Sequence, residues 1–214
     1  MKPIILIYLS ALSLAALFSS WQYLSGNRAM NNAKAIMHVE EISNLWGIVQ
    51  SGDIVFRLGH GFMSESLRKF SLKDSRYSHA GMISVENGRP VVYHLLGGES
   101  SASVIKRESL ENFWSKDEAA SFAVYRTSLS EARKKSVDSL NQYYFGIKLP
   151  YDSRFDLTTD SAMYCTEYVY KVLSKATEGN IFISSSILSE YTYIACDDIY
   201  LSLSMHKVFS FAYE

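Results

Sequence analysis

The chain has 214 residues, a formal net charge of -1, 48% hydrophobic and 20% charged residues. That is enough for one domain with a sizeable core plus a short extension, and the ordinary balance excludes a disordered chain. No basic excess points to nucleic acid, and the two cysteines, Cys165 and Cys196, form neither a disulfide framework nor a spaced zinc site.

At the N-terminus, Lys2 precedes an apolar run from Ile4 to Phe18, with Trp21 and Tyr23 at its end. A charged start and an apolar middle fit a secretory signal. No clean Ala-x-Ala cleavage site follows, and read to Leu24 the segment approaches the roughly 20 residues that span a bilayer. Residues 1–24 are therefore expected to form a hydrophobic helix, either an uncleaved anchor or a cleaved signal. In either case the rest of the chain lies outside the cytoplasm, at or beyond an inner membrane facing the periplasm. A buried helix of a soluble protein is the plainer alternative. Residues 25–48 look like a polar stalk, and residues 49–214 form the domain proper.

Within the domain, Ser51-Gly52-Asp53 signals a turn before a short strand, Ile54–Phe56. A short helix is expected within Gly61–Leu72 and a strand over Ser78–Val85. Asn87-Gly88 is a strong two-residue hairpin signal, and Pro90–Leu96 is the returning strand. Phe122–Arg126 reads as another strand. Ser130 caps a helix from Glu131 to about Phe145. A helix over the stretch Asp160–Leu173 is capped by Thr159, Asp160 or Ser161. The tail from Gly179 cannot be ordered. This mixture implies an α+β domain, an antiparallel sheet with helices packed on one side.

The chemistry concentrates on three residues. Cys165, Tyr168, Val169, Val172 and Leu173 fall on one face of the last helix, so the thiol faces the protein near a helix start. The positive end of a helix favours a thiolate, and a low-pKa nucleophile is expected there. A buried structural cysteine is the plainer reading. If Asn87-Gly88 is the loop, position 86 faces 89, 83 faces 92, 81 faces 94 and 79 faces 96. His79, Gly81 and Ile83 then share a face with Val92 and His94. His94 lies diagonal to His79, within reach of long side chains, and Gly81 puts nothing between the rings. Two such imidazoles suit a general base held by an orienting third group. His60 is expected in a loop, His38 in the stalk and His206 in the tail.

Gly52-Asp53-Ile54-Val55-Phe56, Tyr77-Ser78-His79-Ala80-Gly81-Met82, Pro150-Tyr151-Asp152 and Tyr164-Cys165-Thr166-Glu167 together resemble the YaeF/YiiX group of circularly permuted papain-like hydrolases, relatives of the NlpC peptidases. The resemblance runs from about Ser51 to Leu173. It implies a permuted papain-like fold, Cys165 as nucleophile and His79 as base. The third position, often Glu in that group, is His94 here, as in related NlpC enzymes. The implied activity is a cysteine peptidase or amidase of the cell envelope acting on peptidoglycan peptides or lipid-linked amides. Tyr77, Tyr151, Asp152 and Tyr164 are the expected substrate-binding or oxyanion-side residues. Tyr77 adds to the hole, lines the cleft or is simply core, and Tyr151 and Asp152 shape the entrance. No metal or organic cofactor and no nucleic-acid partner is implied. Lecithin:retinol acyltransferase-like enzymes share the permuted fold and a His, His, Cys pattern, so lipid acyl hydrolysis or transfer is the second reading. Their Asn-Cys-Glu-His is absent. A non-catalytic envelope binding module is the third. Cys196, with no histidine beside it in sequence, is expected to be a packing residue or a slow thiol.

Overall fold

The computed structural model describes residues 46–97 and 103–213. The apolar segment 1–24 and most of the 25–48 stretch lie outside them. Among the described residues no helix is long and apolar enough to cross a membrane. Gly47–Glu214 forms one compact unit.

The elements run β1 (Ile54–Leu58), α1 (Gly61–Leu67) with a 3₁₀ turn at Arg68–Phe70, β2 (His79–Glu86), β3 (Arg89–His94), β4 (Lys106–Ser109), α2 (Leu110–Phe113), β5 (Ser121–Arg126), α3 (Glu131–Gly146), α4 (Cys165–Ala176), β6 (Ser186–Leu188), β7 (Tyr191–Tyr193), α5 (Cys196–Tyr200) and β8 (His206–Ala212). Six strands make an antiparallel sheet in the order β4-β3-β2-β1-β5-β8, and β6 and β7 make a separate hairpin.

The β2–β3 hairpin forms as its sequence predicts. Asn87 (φ 50°) and Gly88 (φ 75°) both take left-handed backbone, which suits a two-residue turn matched to strand twist. Glu86 faces Arg89 and Ile83 faces Val92. The even-numbered residues of β2 point one way and the odd-numbered the other. On one face Ile54, Phe56, Ala80, Met82 and Tyr93 pack against Val137 and Tyr144 of α3 and against Tyr168, Val169, Val172 and Leu173 of α4. Those four α4 side chains are fully buried, and burial of each stabilises by about 1.5–3 kcal/mol. Asn141 joins the layers, donating to Ser84 Oγ (3.0 Å) and accepting from Tyr168 Oη (2.5 Å).

The other face is not open, contrary to the expectation of helices on one side only. Leu110 and Phe113 of α2 and Trp114 are fully buried, and Trp114 stacks on Phe122 of β5 with ring centroids 4.4 Å apart. Ser109 caps α2, its hydroxyl accepting from the Asn112 N–H. In the tail, β8 pairs with β5 at the sheet edge, and α5 joins the core through Ile199 and Tyr200.

Gly52 and Asp53 hold the start of β1. Gly52 has φ 89°, and a Cβ there would lie 2.7 Å from Leu129 Cδ1. The buried Asp53 carboxylate accepts from Arg126 Nε and Nη2, each at 2.7 Å, and from the Gln50 N–H at 2.9 Å. Breaking a buried ion pair from one side costs about 3–5 kcal/mol. Asp53→Asn should fall near the lower bound, because the Arg126 side chain keeps 23% of its surface exposed. Equilibrium urea unfolding measures it; a change below about 1 kcal/mol would show that the pair contributes no more than a surface one.

Candidate active site

Cys165 is the first residue of α4, and the N-cap is Tyr164. The caps expected at Thr159, Asp160 and Ser161 are three to five residues too early. Asp160 instead pairs with Lys171 and Lys175 along the finished helix. The reason is local. The Glu167 carboxylate reaches back to accept the Tyr164 N–H at 3.2 Å, which starts the helix at Cys165. Residue 194 fixes the same end, its N–H donating to Tyr164 Oη (2.8 Å) and its carbonyl accepting from Thr166 Oγ1 (2.6 Å). Burial pushes Glu167 up to about 7, and Lys171, 2.8 Å away, opposes that shift.

The structure brings the two histidines together as their register requires. His79 Nε2 and His94 Nδ1 are 2.8 Å apart, with ring centroids at 5.0 Å. Gly81 lies between them with no room to spare: a Cβ there would sit 2.7 Å from Val92 Cγ1 and 3.1 Å from His94 Cβ. Phe113 stacks on His79 and meets His94 edge-on. Behind His94, its Nε2 lies 2.8 Å from Glu108 Oε1, with the oxygen off the axis of the N–H bond. Arg57 of β1 shares this face. Its guanidinium sits over Phe113 at 4.6 Å, donates to the Phe113 carbonyl at 3.0 Å and pairs with Glu118 at 3.2 Å.

The thiol is held by main-chain donors. The main-chain N–H groups of Ala80, Thr166 and Cys165 and the Thr166 hydroxyl are its polar neighbours. The Ala80 N–H belongs to the peptide that His79 begins, so sulfur and imidazole flank one peptide group. In this arrangement the sulfur's partners are those donors, not the His79 ring.

The charges differ from the low-pKa thiol that a helix start predicts. Burial pushes Cys165 up, and the nearby N–H groups only partly offset it. Burial also holds His79 well below 6.5, with His94, Arg57 and Lys106 acting in the same direction. His94 is lowered by burial as well, against the opposing pull of Glu108. The resting pair is therefore a neutral thiol beside a neutral imidazole.

A small cleft of about 40 Å³ opens at the sulfur, lined by Leu67, Phe70, Tyr151, Phe155, Tyr164 and Tyr193 among others, with no charged side chain on its walls. Tyr151 and Tyr164 thus line this cleft. Tyr77 does not: it is buried against Phe56 and Tyr200 in the core. Asp152 accepts from the N–H groups of Arg154 (2.8 Å) and Asp156 (2.6 Å), and so shapes the loop that carries Phe155 into the cleft. His60 bonds the Lys116 carbonyl in an exposed loop, His206 lies on β8, and His38 is outside the described residues. Cys196 lines the same cleft as Cys165, and both are free.

Sequence reasoning missed Arg57, Glu108 and the cleft walls from 67–70 and 193–194. Arg57 was readable: it is two residues from Val55 on a strand, and so shares Val55's inward parity. Glu108 was not, because residues 95–105 separate its strand from the hairpin and nothing in Lys106–Ser109 sets its register.

A family model described as "Permuted papain-like amidase enzyme, YaeF/YiiX, C92 family" matches residues 48–200. The chain is 29% identical over 129 residues to the uncharacterized protein YiiX of Escherichia coli K12, covering 59% of this chain and 58% of that protein. It therefore spans little more than half the length of that relative. Among solved structures, the crystal structure of "metalloprotein yiiX" from Escherichia coli O157:H7 superposes with a TM-score of 0.61 at 21% identity, over 77% of this chain and 97% of that one.

Two measurements probe this geometry. Gly81→Ala should displace His94 and lower turnover by about 10², the lower side of what losing a base costs; unchanged turnover would mean the rings tolerate the added methyl. Iodoacetamide should label Cys165 before Cys196, because burial raises the Cys196 thiol well above its ordinary value and Cys165 adds to that. Peptide mass spectrometry gives the order, and prior labelling of Cys196 contradicts the assignment of the accessible thiol.

Proposed function

We propose, on the premise that this chain belongs to the permuted papain-like amidase family of YaeF and YiiX, that it is a cysteine-dependent amide hydrolase. The observation that carries the reading is the 2.8 Å contact between His79 Nε2 and His94 Nδ1, beside a cysteine that opens a helix. With Nε2 engaged, Nδ1 is the nitrogen of His79 that can take a proton. As substrate enters, the Cys165 proton passes to His79 and the sulfur attacks the carbonyl carbon. The N–H groups of Cys165 and Thr166 at the start of α4 stand to receive the oxyanion. His79 gives its proton to the leaving amine, and a thioester remains until water, deprotonated by His79, displaces the thiol. Catalytic hydrogen bonds often tighten only with substrate bound, which fits a sulfur that rests on main-chain donors.

The YiiX structure is described as that of a metalloprotein. Among the described residues of this chain no three His, Cys, Asp or Glu side chains gather as a metal ion requires. These residues do not offer such a site, and the chain's own groups carry each step above.

The uncharged aromatic and aliphatic cleft favours a substrate with an apolar acyl part. It supports lipid-linked amides over peptidoglycan peptides, and it is also the observation that favours the second reading, a lipid acyl hydrolase or transferase. The envelope as the place of action rests on Lys2 and the Ile4–Phe18 run, with that segment as membrane anchor or export signal. Incubating the protein and Cys165→Ala with an N-acyl lipid, a phospholipid and muropeptides, with products read by mass spectrometry, tests the reading. Cleavage of the N-acyl lipid by the unmodified protein alone is expected. Cleavage of muropeptides alone would move the substrate class, and equal products from Cys165→Ala would remove the nucleophile.

The pH dependence follows from the His79 shift. A base held below 6.5 stays unprotonated to lower pH, so the acid limb of kcat/KM should lie below that value. A limb at or above 6.5 would show that burial does not lower the His79 pKa as stated.

A further inference from the structure

We infer that Glu108 is a positioning residue that sets the protonated nitrogen on both histidines, so that one carboxylate at the sheet edge aims the base at the thiol. The inference rests on the assignment of His79 as the base. The register puts Glu108 on the correct face. His94 is opposite Lys106 and Val92 is opposite Glu108, so all four side chains project to the side that Phe113 covers. Glu108 Oε1 then lies 2.8 Å from His94 Nε2, and His94 Nδ1 lies 2.8 Å from His79 Nε2.

Each contact determines the next. A carboxylate oxygen at that distance repels a nitrogen lone pair and attracts an N–H, so His94 carries its proton on Nε2. Its Nδ1 is then an acceptor. An acceptor there requires His79 to carry its proton on Nε2. His79 Nδ1 is left bare, which is the state a general base needs. Remove the carboxylate and His94 is free to hold its proton on Nδ1. His79 Nε2 then becomes the acceptor, and its Nδ1 is protonated and inert as a base.

The surroundings make the arrangement necessary. Around the two rings stand Arg57 from β1, Lys106 from β4 and Glu118, besides Glu108 itself. Burial and both cations keep the rings neutral, so the opposing charge selects a tautomer rather than creating an imidazolium. Arg57 is occupied by Glu118 and the Phe113 carbonyl. Glu108 is itself held below the usual carboxylate range, its burial outweighed by His94 and the two cations, and so remains charged.

The arrangement also constrains position 94. A glutamate there would face Glu108 across a buried contact, two carboxylates competing for one proton. The two positions are thus coupled: a carboxylate belongs at one of them, not both.

The test has two readouts. Long-range proton–nitrogen NMR of the histidine rings should show His79 and His94 each as a single Nε2–H tautomer in the unmodified protein, and a mixed or reversed pattern in Glu108→Gln. This readout needs no turnover, so it decides the inference even if the hydrolase reading fails. Glu108→Gln should also lower kcat by about 10–10² with KM nearly unchanged, less than the ~10⁴ seen when the carboxylate touches the base directly, since here it acts through a second ring. His94→Glu should be weaker than the double variant His94→Glu/Glu108→Gln, which relieves the repulsion. The Gln replacement is isosteric and on an edge strand, and unchanged melting would confirm an intact fold. Unaltered tautomers in Glu108→Gln, or a double variant no better than His94→Glu, would overturn the inference.

Discussion

Two consecutive left-handed residues, Asn87 and Gly88, set the pairing of β2 with β3, and that pairing decides which side chains share a face. A slip of one residue would send His94 into the α3–α4 core and leave His79 alone against Phe113. Gly81 completes the constraint, since a methyl between the rings would collide with Val92 and His94. The short turn, the small residue and the two imidazoles therefore act as one unit. Their separation comes from backbone geometry rather than from any attraction between the rings.

The sheet keeps its two faces for different purposes. One is an apolar core in which α4 lies along β2 and presents Cys165 at its first turn. The other buries His79, His94 and Arg57, which in isolation is costly. The cost is offset in two ways. The imidazoles surrender their charge, and Arg57 keeps its charge but is matched by Glu118, the Phe113 carbonyl and the ring beneath it. The Ala80 N–H that neighbours the sulfur belongs to the peptide that His79 begins, at the start of the strand.

This placement accounts for a thiol that a helix start does not ionise. The partial charge at the N-terminus of α4 and three main-chain N–H groups favour thiolate, but desolvation of a buried sulfur is the larger effect. A neutral pair survives in an apolar cleft where an ion pair would be disfavoured. Cys196, the second thiol in that cleft, is raised by burial too, with Cys165 adding to the shift.

Much of this was legible in the amino-acid order because it depends on near neighbours in the chain. Hairpin register follows from Asn87-Gly88, the helix face from the spacing of Cys165 to Leu173, and the α3 cap from Ser130, each settled within a few residues by hydrogen bonding and side-chain period. What tertiary structure alone decided joins segments far apart. Glu108 reaches His94 only because β4 pairs with β3 across the sheet. The cleft exists because residues 67–70 and 193–194 converge on α4. Tyr77 is core because Phe56 and Tyr200 close on it. The state of the thiol belongs to the same class: local sequence supplies the helix dipole, but desolvation depends on everything packed around the sulfur, and desolvation prevails.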